Sequence, residues 1–312
     1  MQTKTFQLSS SYQETKLNGI CCAPDDKPRA LVQIIHGLAE HIERYEDLMR
    51  FLAEHGFAAY GIDHLGHGKS LIEGRTYTDC GPCGEKHLVE DQLLLSRYIE
   101  KEEGSELPHF YLGHSMGSLI LRAFLIRYPE EADAAVICGT GGVKDRELER
   151  NRRMLRLFGL FHHGDFHSGL LDKISLGAYN RAFKPNRTAV DWLSRNPENV
   201  DAYLADPRCG QPASLDMQNA LLKLLQEIQD ADCLKQMNKH TPILFISGEE
   251  DPFGDFGKTP TLLEKRFKDL GMEDVELRLY PGLRHEILQE KERAAVFADI
   301  LAFFERCLPR AL

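Results

Sequence analysis

A serine flanked by glycines is the residue of this chain whose setting points most directly to chemistry. Ser115 lies in Gly113-His114-Ser115-Met116-Gly117, after an apolar run and before an amphipathic stretch. A strand that turns sharply into a helix at this serine projects the hydroxyl group outward, and the glycines prevent collisions with neighbouring backbone. The N–H groups that begin the helix then face the charge formed in acyl transfer. The segment predicts a nucleophilic serine; an ordinary strand-to-helix turn is the alternative.

A serine nucleophile needs a histidine base and a carboxylate that orients the base, in the chain order serine, acid, histidine. The apolar run at 242–247 leads into three carboxylates, Glu249, Glu250 and Asp251. We predict that Asp251 is the acid, because its short side chain and the rigid Pro252 suit a fixed hydrogen bond. Glu249 and Glu250 stay open as alternatives.

The base is expected in the loop after the last apolar run, at 275–280. This loop contains His285, and we predict that His285 is the general base. The chain has 13 histidines, so being a histidine is not enough to identify the base. The assignment of His285 rests on its position after the last predicted strand.

An oxyanion hole requires two backbone N–H donors, one after the nucleophile and one from the loop after the third strand. That loop contains residues 36–40, so we predict the N–H groups of Met116 and Leu38 as the donors, with Gly37 allowing close backbone approach. His36 ends the preceding strand, and we expect it to brace the loop by a hydrogen bond instead of reacting.

The elements that must position these residues follow from the hydrophobic pattern. Alternating polarity at 3–8 and 15–22 predicts an antiparallel hairpin. Continuous apolar runs predict strands buried on both faces at 30–35, 57–62, 109–113, 134–138, 242–247 and 275–280. Helical periodicity and stop signals predict helices at 43–55, 86–103, 116–128, 259–270 and 290–307. This alternation predicts an α/β fold with a mostly parallel sheet and flanking helices.

The regular alternation is interrupted by roughly a hundred residues, far more than an ordinary helix-to-strand connection. We predict a core formed by residues 1–142 and 241–312, and a helical cap, or lid, formed by residues 143–240. Such an insertion is expected over the carboxyl ends of the strands, where ligands bind in folds of this type.

Apolar residues are abundant in the predicted cap. They form two groups: Leu155, Leu157, Phe158, Leu160 and Phe161, and Leu221, Leu222, Leu224, Leu225 and Ile228. The residues either line a pocket for an acyl chain or form the core of the cap itself, and both interpretations stay open.

Composition excludes several classes of protein. The chain has 312 residues with 38 Lys and Arg against 48 Asp and Glu, a net charge of −10. This balance argues against nucleic acid, and against an anionic membrane surface, as the main partner. No apolar run reaches the ~18 residues of a membrane span, and the amino-terminal residues lack a signal-peptide pattern, so we expect a cytoplasmic protein.

Several groups of potential ligand residues have simpler interpretations. Cys80 and Cys83 have the spacing of a redox or zinc pair, but a second pair is missing, so we expect neither role. The glycines around Asp63, His64 and His67 favour a tight turn over a metal site. A polar cap loop is likewise favoured over a metal site for three further histidines, His162, His163 and His167. We therefore predict no metal and no cofactor.

The chain resembles the monoacylglycerol lipase and lysophospholipase branch of the serine α/β-hydrolases, particularly its bacterial members. The resemblance is carried by His36-Gly-Leu-Ala-Glu-His41, Gly61-Ile-Asp-His-Leu-Gly-His-Gly-Lys-Ser70, Gly113-His-Ser-Met-Gly117, Ser247-Gly-Glu-Glu-Asp-Pro252 and Tyr280-Pro-Gly-Leu-Arg-His-Glu286. It spans most of the chain outside 143–240 and extends to segments 186–195 and 206–210 within that range. It implies an α/β-hydrolase fold with an inserted cap and a catalytic triad of Ser115, Asp251 and His285.

The expected reaction is acyl transfer to water through an acyl-enzyme on Ser115, with a small-molecule ester or lipid as substrate. Monoacylglycerol and lysophospholipid are the expected substrate types. A peptidase or a short-chain esterase would use the same triad, and a non-catalytic ligand receptor could share the fold. Epoxide hydrolases and haloalkane dehalogenases of this fold use a carboxylate nucleophile, so Ser115 argues against both. The sequence does not indicate an oligomeric state.

Overall fold

A computed structural model describes residues 1–169 and 176–309 of the chain and has an eight-stranded sheet at its centre. The strands are β1 (Gln2–Ser9), β2 (Lys16–Ala23), β3 (Ala30–Ile35), β4 (Phe57–Ile62), β5 (His109–His114), β6 (Ala134–Cys138), β7 (Ile243–Gly248) and β8 (Val275–Tyr280). They lie in the order β1-β2-β4-β3-β5-β6-β7-β8. Strand β2 runs antiparallel to both β1 and β4, and the remaining neighbours are parallel. The predicted fold class is confirmed.

The helices of the described residues flank this sheet or lie between β6 and β7. They are α1 (Glu46–Glu54), α2 (Gly84–Glu103), α3 (Met116–Arg127), α4 (Asp145–Gly159), α5 (Leu176–Tyr179), α6 (Pro197–Ala205), α7 (Leu215–Gln229), α8 (Ala231–Leu234), α9 (Lys258–Asp269) and α10 (Arg293–Cys307). The five helices predicted from periodicity correspond to α1, α2, α3, α9 and α10. The helix predicted at 43–55 is divided in the structure, because its first residues belong to a separate 3₁₀ helix, Ile42–Tyr45, that precedes α1.

The two faces of the sheet are covered by separate helical layers. In β5, Phe110 and Leu112 point to one layer and Tyr111 points to the other. Helices α2, α3, α7 and α9 contribute to the cluster around Tyr111, whereas α1 and α10 contribute to the opposite cluster. Because both faces are covered, strands β3 to β7 are buried on both sides, which explains their continuous apolar runs. The edge strands differ: β1 is mostly exposed, and β8 is half-buried after its first residue, so the prediction of a strand buried on both faces is wrong for 275–280.

Helix α7 lies in the predicted cap segment but packs on α2 and α3. Its residues Leu224, Leu225 and Ile228 belong to the same hydrophobic cluster as the sheet. They therefore contribute to the main core, and neither interpretation offered for the second apolar group, a cap core or an acyl-chain pocket, describes them. The 143–240 boundary of the cap stays a prediction; residues 170–175 of that segment, and 310–312 of the predicted core, lie outside the described residues.

The first apolar group of the predicted cap is divided by the structure. Leu155 is 3% exposed and packs with Leu215 in a small cluster of its own. In contrast, Leu157, Leu160 and Phe161 are 61%, 73% and 81% exposed. Neither a cap core nor a closed pocket accounts for these three side chains. No helix of the described residues is long and apolar enough to cross a membrane.

Buried histidines link the stability of this fold to pH. Burial lowers the pKa of His64 and His109 from 6.5 to about 3, and that of His67 to about 4. Below pH 6.5 the unfolded chain binds protons that the folded chain does not bind. The contribution of these three histidines to the free energy of unfolding therefore decreases as the pH falls from 6.5 toward 4.

His109 offers a direct test of this linkage. Its ring stacks on Tyr111 at a centroid distance of 4.6 Å, and neither ring nitrogen has a hydrogen-bond partner among the described residues. We expect His109→Phe to make the free energy of unfolding less dependent on pH, by up to about 1.4 kcal/mol per pH unit between about pH 6.5 and pH 4. Urea unfolding across this range measures the effect. The exposed His163 provides a control, since His163→Gln should follow the wild type; parallel curves for His109→Phe and wild type would contradict the linkage.

Candidate active site

Ser115 lies on a strained turn between β5 and α3. Its φ of +54° and ψ of −120° place a non-glycine residue in a region that L-residues rarely adopt. The flanking glycines are required by close backbone contacts. A Cβ atom on Gly117 would lie 2.0 Å from the carbonyl oxygen of Ile35, and one on Gly113 would lie 2.4 Å from the carbonyl oxygen of Gly117. The serine is thus held in a fixed position at the carboxyl end of the central strand.

The predicted acid and base form a buried pair. His285 Nδ1–H donates to Asp251 Oδ2 at 2.9 Å, and Asp251 Oδ1 accepts the N–H of Phe253 at 2.9 Å. The two alternative acids, Glu249 and Glu250, are exposed in the same loop. Because Nδ1 of His285 carries the proton, Nε2 is left as an acceptor that can take a proton from a nucleophile.

Ser115 and His285 line the same pocket, which has a volume of about 40 Å³. The His285 ring is packed by aromatic side chains: Trp192 lies at a centroid distance of 4.8 Å and Phe253 at 5.6 Å. Leu193 and Tyr203 also line the pocket. Residues from the predicted cap therefore cover the nucleophile.

The loop after β3 lies beside the nucleophile, as expected for an oxyanion hole. Leu38 lines the pocket, and Met116 is the first residue of α3, whose opening N–H groups have no partner within the helix. The N–H of Gly37 is already used, because it donates to Glu40 Oε1 at 2.6 Å. The geometry is compatible with Leu38 and Met116 as the donors, and their role stays a prediction.

His36 braces this loop. Its Nε2 accepts the N–H of His64 at 3.0 Å, and the His64 ring lies with Nε2 at 3.1 Å from the carbonyl oxygen of His36. Burial lowers the pKa of His36 well below its usual value, so the ring stays neutral. This arrangement is the bracing contact that the sequence predicts for His36.

A buried ion-pair network next to the pocket was missed by the sequence analysis. Arg44 binds both carboxylate oxygens of Glu286 at 2.7 Å and also pairs with Glu40. Burial opposes the charge of Arg44, but the carboxylates of Glu286 and Glu40 hold its pKa well above the usual value. Two signals could have revealed the network: Glu40 and Arg44 are four residues apart, and Glu286 directly follows His285.

His114, which precedes the nucleophile, connects this network to the base. Its Nε2–H donates to the backbone oxygen of His285 at 3.2 Å, and its Nδ1 lies 2.8 Å from the hydroxyl oxygen of Tyr45. The Tyr45 hydroxyl donates to Glu40 at 2.7 Å. Burial disfavours the charged ring of His114, but Glu40 outweighs this effect and raises the pKa of His114. The nucleophile strand, the oxyanion loop and the base are therefore joined by one set of hydrogen bonds.

Two of the residues considered as metal ligands, Asp63 and His167, have backbone partners. Asp63 accepts the N–H groups of Ile42 at 2.9 Å and Lys69 at 2.7 Å, which stabilises the turn that the sequence predicts there. In the loop after α4, His167 Nδ1 lies 2.7 Å from the carbonyl oxygen of Pro212. Hydrogen bonds to the backbone thus explain these residues without a cation.

One group with metal-ligand geometry is found among the described residues, formed by His41, Asp206 and Cys209. His41 Nε2 lies 3.0 Å from Asp206, and the Arg208 guanidinium binds both oxygens of the same carboxylate. Burial raises the pKa of Cys209 to about 12. A cation would have to displace the arginine and deprotonate the thiol, so this group is an unfavourable cation site.

Cys80 and Cys83 are free cysteines in different environments. Cys80 is buried and Cys83 is exposed. Burial raises the pKa of Cys80 well above its usual value, so its thiol is a poor nucleophile. This setting offers no support for the redox role considered from the CxxC spacing.

The fold and the site together define a class of protein. A serine on a strained strand-to-helix turn follows a central parallel strand, and a buried histidine–aspartate pair is supplied by loops after later strands. This arrangement is that of the serine hydrolases with an α/β-hydrolase fold.

Comparison with known proteins agrees with this class. Residues 26–292 match the family described as serine aminopeptidase, S33. A monoacylglycerol lipase of Mycolicibacterium smegmatis is 31% identical over 286 residues, which cover 90% of this chain and 89% of that protein. Two solved structures superpose with a TM-score of 0.91 over 99% of this chain and 100% of theirs. They are a thermostable carboxyl esterase from Bacillus coagulans in complex with glycerol, at 25% identity, and a lipase in its open form, at 28% identity.

The chain belongs to the serine aminopeptidase, S33 family of α/β-hydrolases, and within it resembles the monoacylglycerol lipases. It is a serine ester hydrolase. The predicted family and enzyme class are thereby confirmed, while the roles of the individual site residues remain predictions.

The choice of acid can be tested by paired substitutions. We expect Asp251→Asn to lower kcat by about 10³ to 10⁴-fold, because an amide stabilises the wrong tautomer of His285. Glu250→Gln is the matched control, since Glu250 is exposed and should leave kcat nearly unchanged. Initial rates with a p-nitrophenyl ester measure both variants, and circular dichroism verifies their folding. A larger loss of kcat in Glu250→Gln than in Asp251→Asn would show that Asp251 is not the acid.

Proposed function

We propose that the chain hydrolyses monoacyl lipid esters, of the monoacylglycerol or lysophospholipid type, through an acyl-enzyme on Ser115. The observation that carries the proposal is the pocket shared by Ser115 and His285, because aromatic and apolar side chains line it together with polar ones. The monoacylglycerol lipase similarity supports the same substrate class. A cytoplasmic location also stays a prediction from the sequence.

The proposed reaction begins when Ser115 Oγ attacks the ester carbonyl carbon while His285 Nε2 accepts the hydroxyl proton. The N–H groups of Leu38 and Met116 stabilise the oxyanion, and Asp251 stabilises the imidazolium form of His285. The alcohol leaves with the proton from His285. A water molecule then attacks the acyl carbon while one of its protons passes to His285 Nε2. When the bond from this carbon to Ser115 Oγ breaks, Oγ takes that proton from His285, and the carboxylic acid is released.

The lining of the pocket suits an amphiphilic ester. It contains polar residues, Glu40, Glu286 and His114, and apolar residues, Trp192 and Leu193. Such a mixture is compatible with an alcohol that carries hydroxyl groups and with the first methylene groups of an acyl chain.

Access for such a substrate requires movement of the cap. A volume of about 40 Å³ holds only a few water molecules and cannot contain an acyl chain of medium length. Trp192 contacts the His285 ring from the cap segment. We therefore propose that the part of the cap containing Trp192 moves away from Ser115 when substrate binds.

Peptide hydrolysis is the alternative suggested by the family description. An aminopeptidase must bind a positively charged amino terminus, for which an uncompensated carboxylate is needed. The carboxylates beside the pocket, Glu40 and Glu286, are both paired with Arg44. Arg44 is a single cation between two carboxylates, so it compensates only one of their two charges. The choice of an ester over a peptide therefore rests on the similarity to the monoacylglycerol lipases.

The nucleophile assignment predicts that Ser115→Ala abolishes both ester hydrolysis and labelling by a fluorophosphonate, because the attacking oxygen is lost. The variant should fold normally, since alanine requires no additional space. Labelling followed by mass spectrometry should locate the adduct on Ser115 in the wild type. Hydrolysis of Ser115→Ala near the wild-type rate would refute the proposed acyl-enzyme, and an unlabelled but folded wild type would favour a ligand receptor.

The lipid substrate predicts a dependence on acyl-chain length. Each methylene transferred from water to an apolar pocket contributes roughly 0.8 kcal/mol, so kcat/KM should rise with chain length until the pocket ends. The measurement is kcat/KM for p-nitrophenyl esters of about two to sixteen carbons, with aminoacyl naphthylamides as the peptidase comparison. An optimum at acetate would indicate a short-chain esterase, and faster naphthylamide cleavage would indicate a peptidase.

A further inference from the structure

The carboxylate of Glu290 is buried near the base, although no step of the proposed reaction uses it. Glu290 is 1% exposed. Its Oε1 accepts the N–H of Arg195 at 3.0 Å and the N–H of Arg284 at 3.3 Å, and its Oε2 accepts the hydroxyl group of Ser194 at 2.8 Å. All three donors are neutral groups. A buried carboxylate is costly unless its hydrogen bonds are made, so these three donors are held in place together.

The three donors come from two segments that meet at His285. Arg284 directly precedes His285 in the loop after β8. Ser194 and Arg195 follow Trp192, whose indole ring packs on the His285 ring at a centroid distance of 4.8 Å. One carboxylate therefore joins the backbone that carries the base to the segment that covers it. We call these three hydrogen bonds of Glu290 the base anchor.

Other hydrogen bonds join the same two segments. The guanidinium group of Arg284 donates to the carbonyl oxygens of Asp191 at 2.6 Å and Ser194 at 3.3 Å. The N–H of Glu286 donates to the carbonyl oxygen of Leu193 at 2.7 Å. The base anchor differs from these contacts because a single side chain, which can be substituted, receives donors from both segments.

The His285 ring needs support beyond its hydrogen bond to Asp251. That bond holds Nδ1 at 2.9 Å but leaves the ring able to tilt about the contact. Trp192 packs on the ring at an interplanar angle of 36°, and Phe253 meets it edge-on at 88°. Aromatic packing of this kind restricts the tilt. A general base must stay within hydrogen-bond reach of the nucleophile, so a small displacement of the ring lowers the rate.

We propose that Glu290 is a positioning residue for the general base. It acts through the backbone of Arg284 and through Trp192, and it takes no part in proton transfer itself. The proposal rests on the function proposed above, because it assumes that His285 activates Ser115.

The base anchor also restricts the proposed movement of the cap. When the Trp192 region moves away from Ser115, Glu290 either releases Ser194 and Arg195 or carries the base loop with them. In both cases the base is correctly placed only after the region has returned and the anchor has formed again. The chemical step is thereby confined to the closed state of the cap.

Intrinsic fluorescence tests the structural half of the proposal. The chain contains one tryptophan, so its emission reports the surroundings of Trp192 alone. We expect Glu290→Ala to shift the emission to longer wavelength and to increase quenching by acrylamide, because the indole, which is 7% exposed, gains contact with water. Circular dichroism verifies that the variant is folded.

Kinetics test the catalytic half. With a water-soluble short-chain p-nitrophenyl ester, Glu290→Ala should lower kcat and kcat/KM together by about 10²-fold, with little change in KM. Titration with a fluorophosphonate to completion counts the competent sites, so that kcat is expressed per site. A merely structural role would reduce the number of sites and leave kcat per site unchanged.

A second variant keeps the proposal testable if Glu290→Ala does not fold. Ser194→Ala removes one donor of the base anchor and requires no additional space. We expect the same shift of the Trp192 emission, to a smaller extent, and a loss of kcat per site of about ten-fold. In a folded double variant, Ser194→Ala should add little to Glu290→Ala, because both substitutions remove the same contact.

Two further substitutions provide the rescue and the control. Glu290→Gln should retain most of kcat, since the amide oxygen can accept both backbone N–H groups and the amide nitrogen can donate to Ser194 Oγ. Glu292 also binds Arg195, but through the guanidinium group, and its side chain is 46% exposed. Glu292→Gln should therefore leave both the fluorescence and kcat as in the wild type.

Several outcomes would overturn the proposal. They are an unchanged Trp192 emission in the folded anchor variants, a shifted emission with wild-type kcat per site, and an equal loss in Glu292→Gln. A rise of kcat/KM confined to long-chain esters would make the contact a latch on the cap and not a support of the base. Failure of the proposed function has a different signature, because an active Ser115→Ala variant would remove the acyl-enzyme whatever the fluorescence shows.

Discussion

The close approach of two backbone segments at Ser115 is the constraint on which the rest of the site depends. The turn after β5 passes so close to the end of β3 that position 117 has no space for a side chain. This contact fixes the serine and the loop of residues 36–41 relative to each other, because that loop begins where β3 ends. A nucleophile and an oxyanion hole require such a fixed relation, since their donors must be in place before charge develops. The strain of the Ser115 backbone is tolerated because the surrounding sheet and helix are buried and rigid.

The buried ion pairs extend this constraint to the base. Glu40 accepts the N–H of Gly37 and pairs with Arg44, which also holds Glu286 next to His285. A buried charge is costly unless it is paired and hydrogen-bonded, so each member of this set restricts the positions of the others. Through it the proposed triad and the proposed oxyanion hole become parts of one connected structure. The same pairing gives one cation to two carboxylates, so the network beside the pocket keeps an acidic character.

The segment between β6 and β7 contains parts with different physical roles. Helix α7 buries its apolar side against α2 and α3 and adds to the main core. The region around Trp192 and Tyr203 covers the pocket and forms a small cluster of its own. Helix α4 and the two residues that follow it expose arginines and large apolar side chains to solvent. The term cap therefore describes where this segment lies in the chain, but its parts do not share one physical role.

The sequence by itself determined the sheet, most flanking helices and the positions of Ser115, Asp251 and His285 after their strands. It could do so because strands buried on both faces have continuous apolar runs, and because the strand order restricts where a base and an acid can lie. Only the tertiary structure decided which carboxylate is buried against His285, since Glu250 and Asp251 are neighbours in sequence and differ in environment. The Glu40–Arg44 spacing and the position of Glu286 after His285 point to the members of the ion-pair network, but the pairing of Arg44 with Glu286 joins residues far apart in the chain and is decided by the fold. Helical periodicity showed that α7 and α4 have apolar residues, but whether such residues face a core or solvent depends on which other elements pack against them, and that is a property of the folded chain.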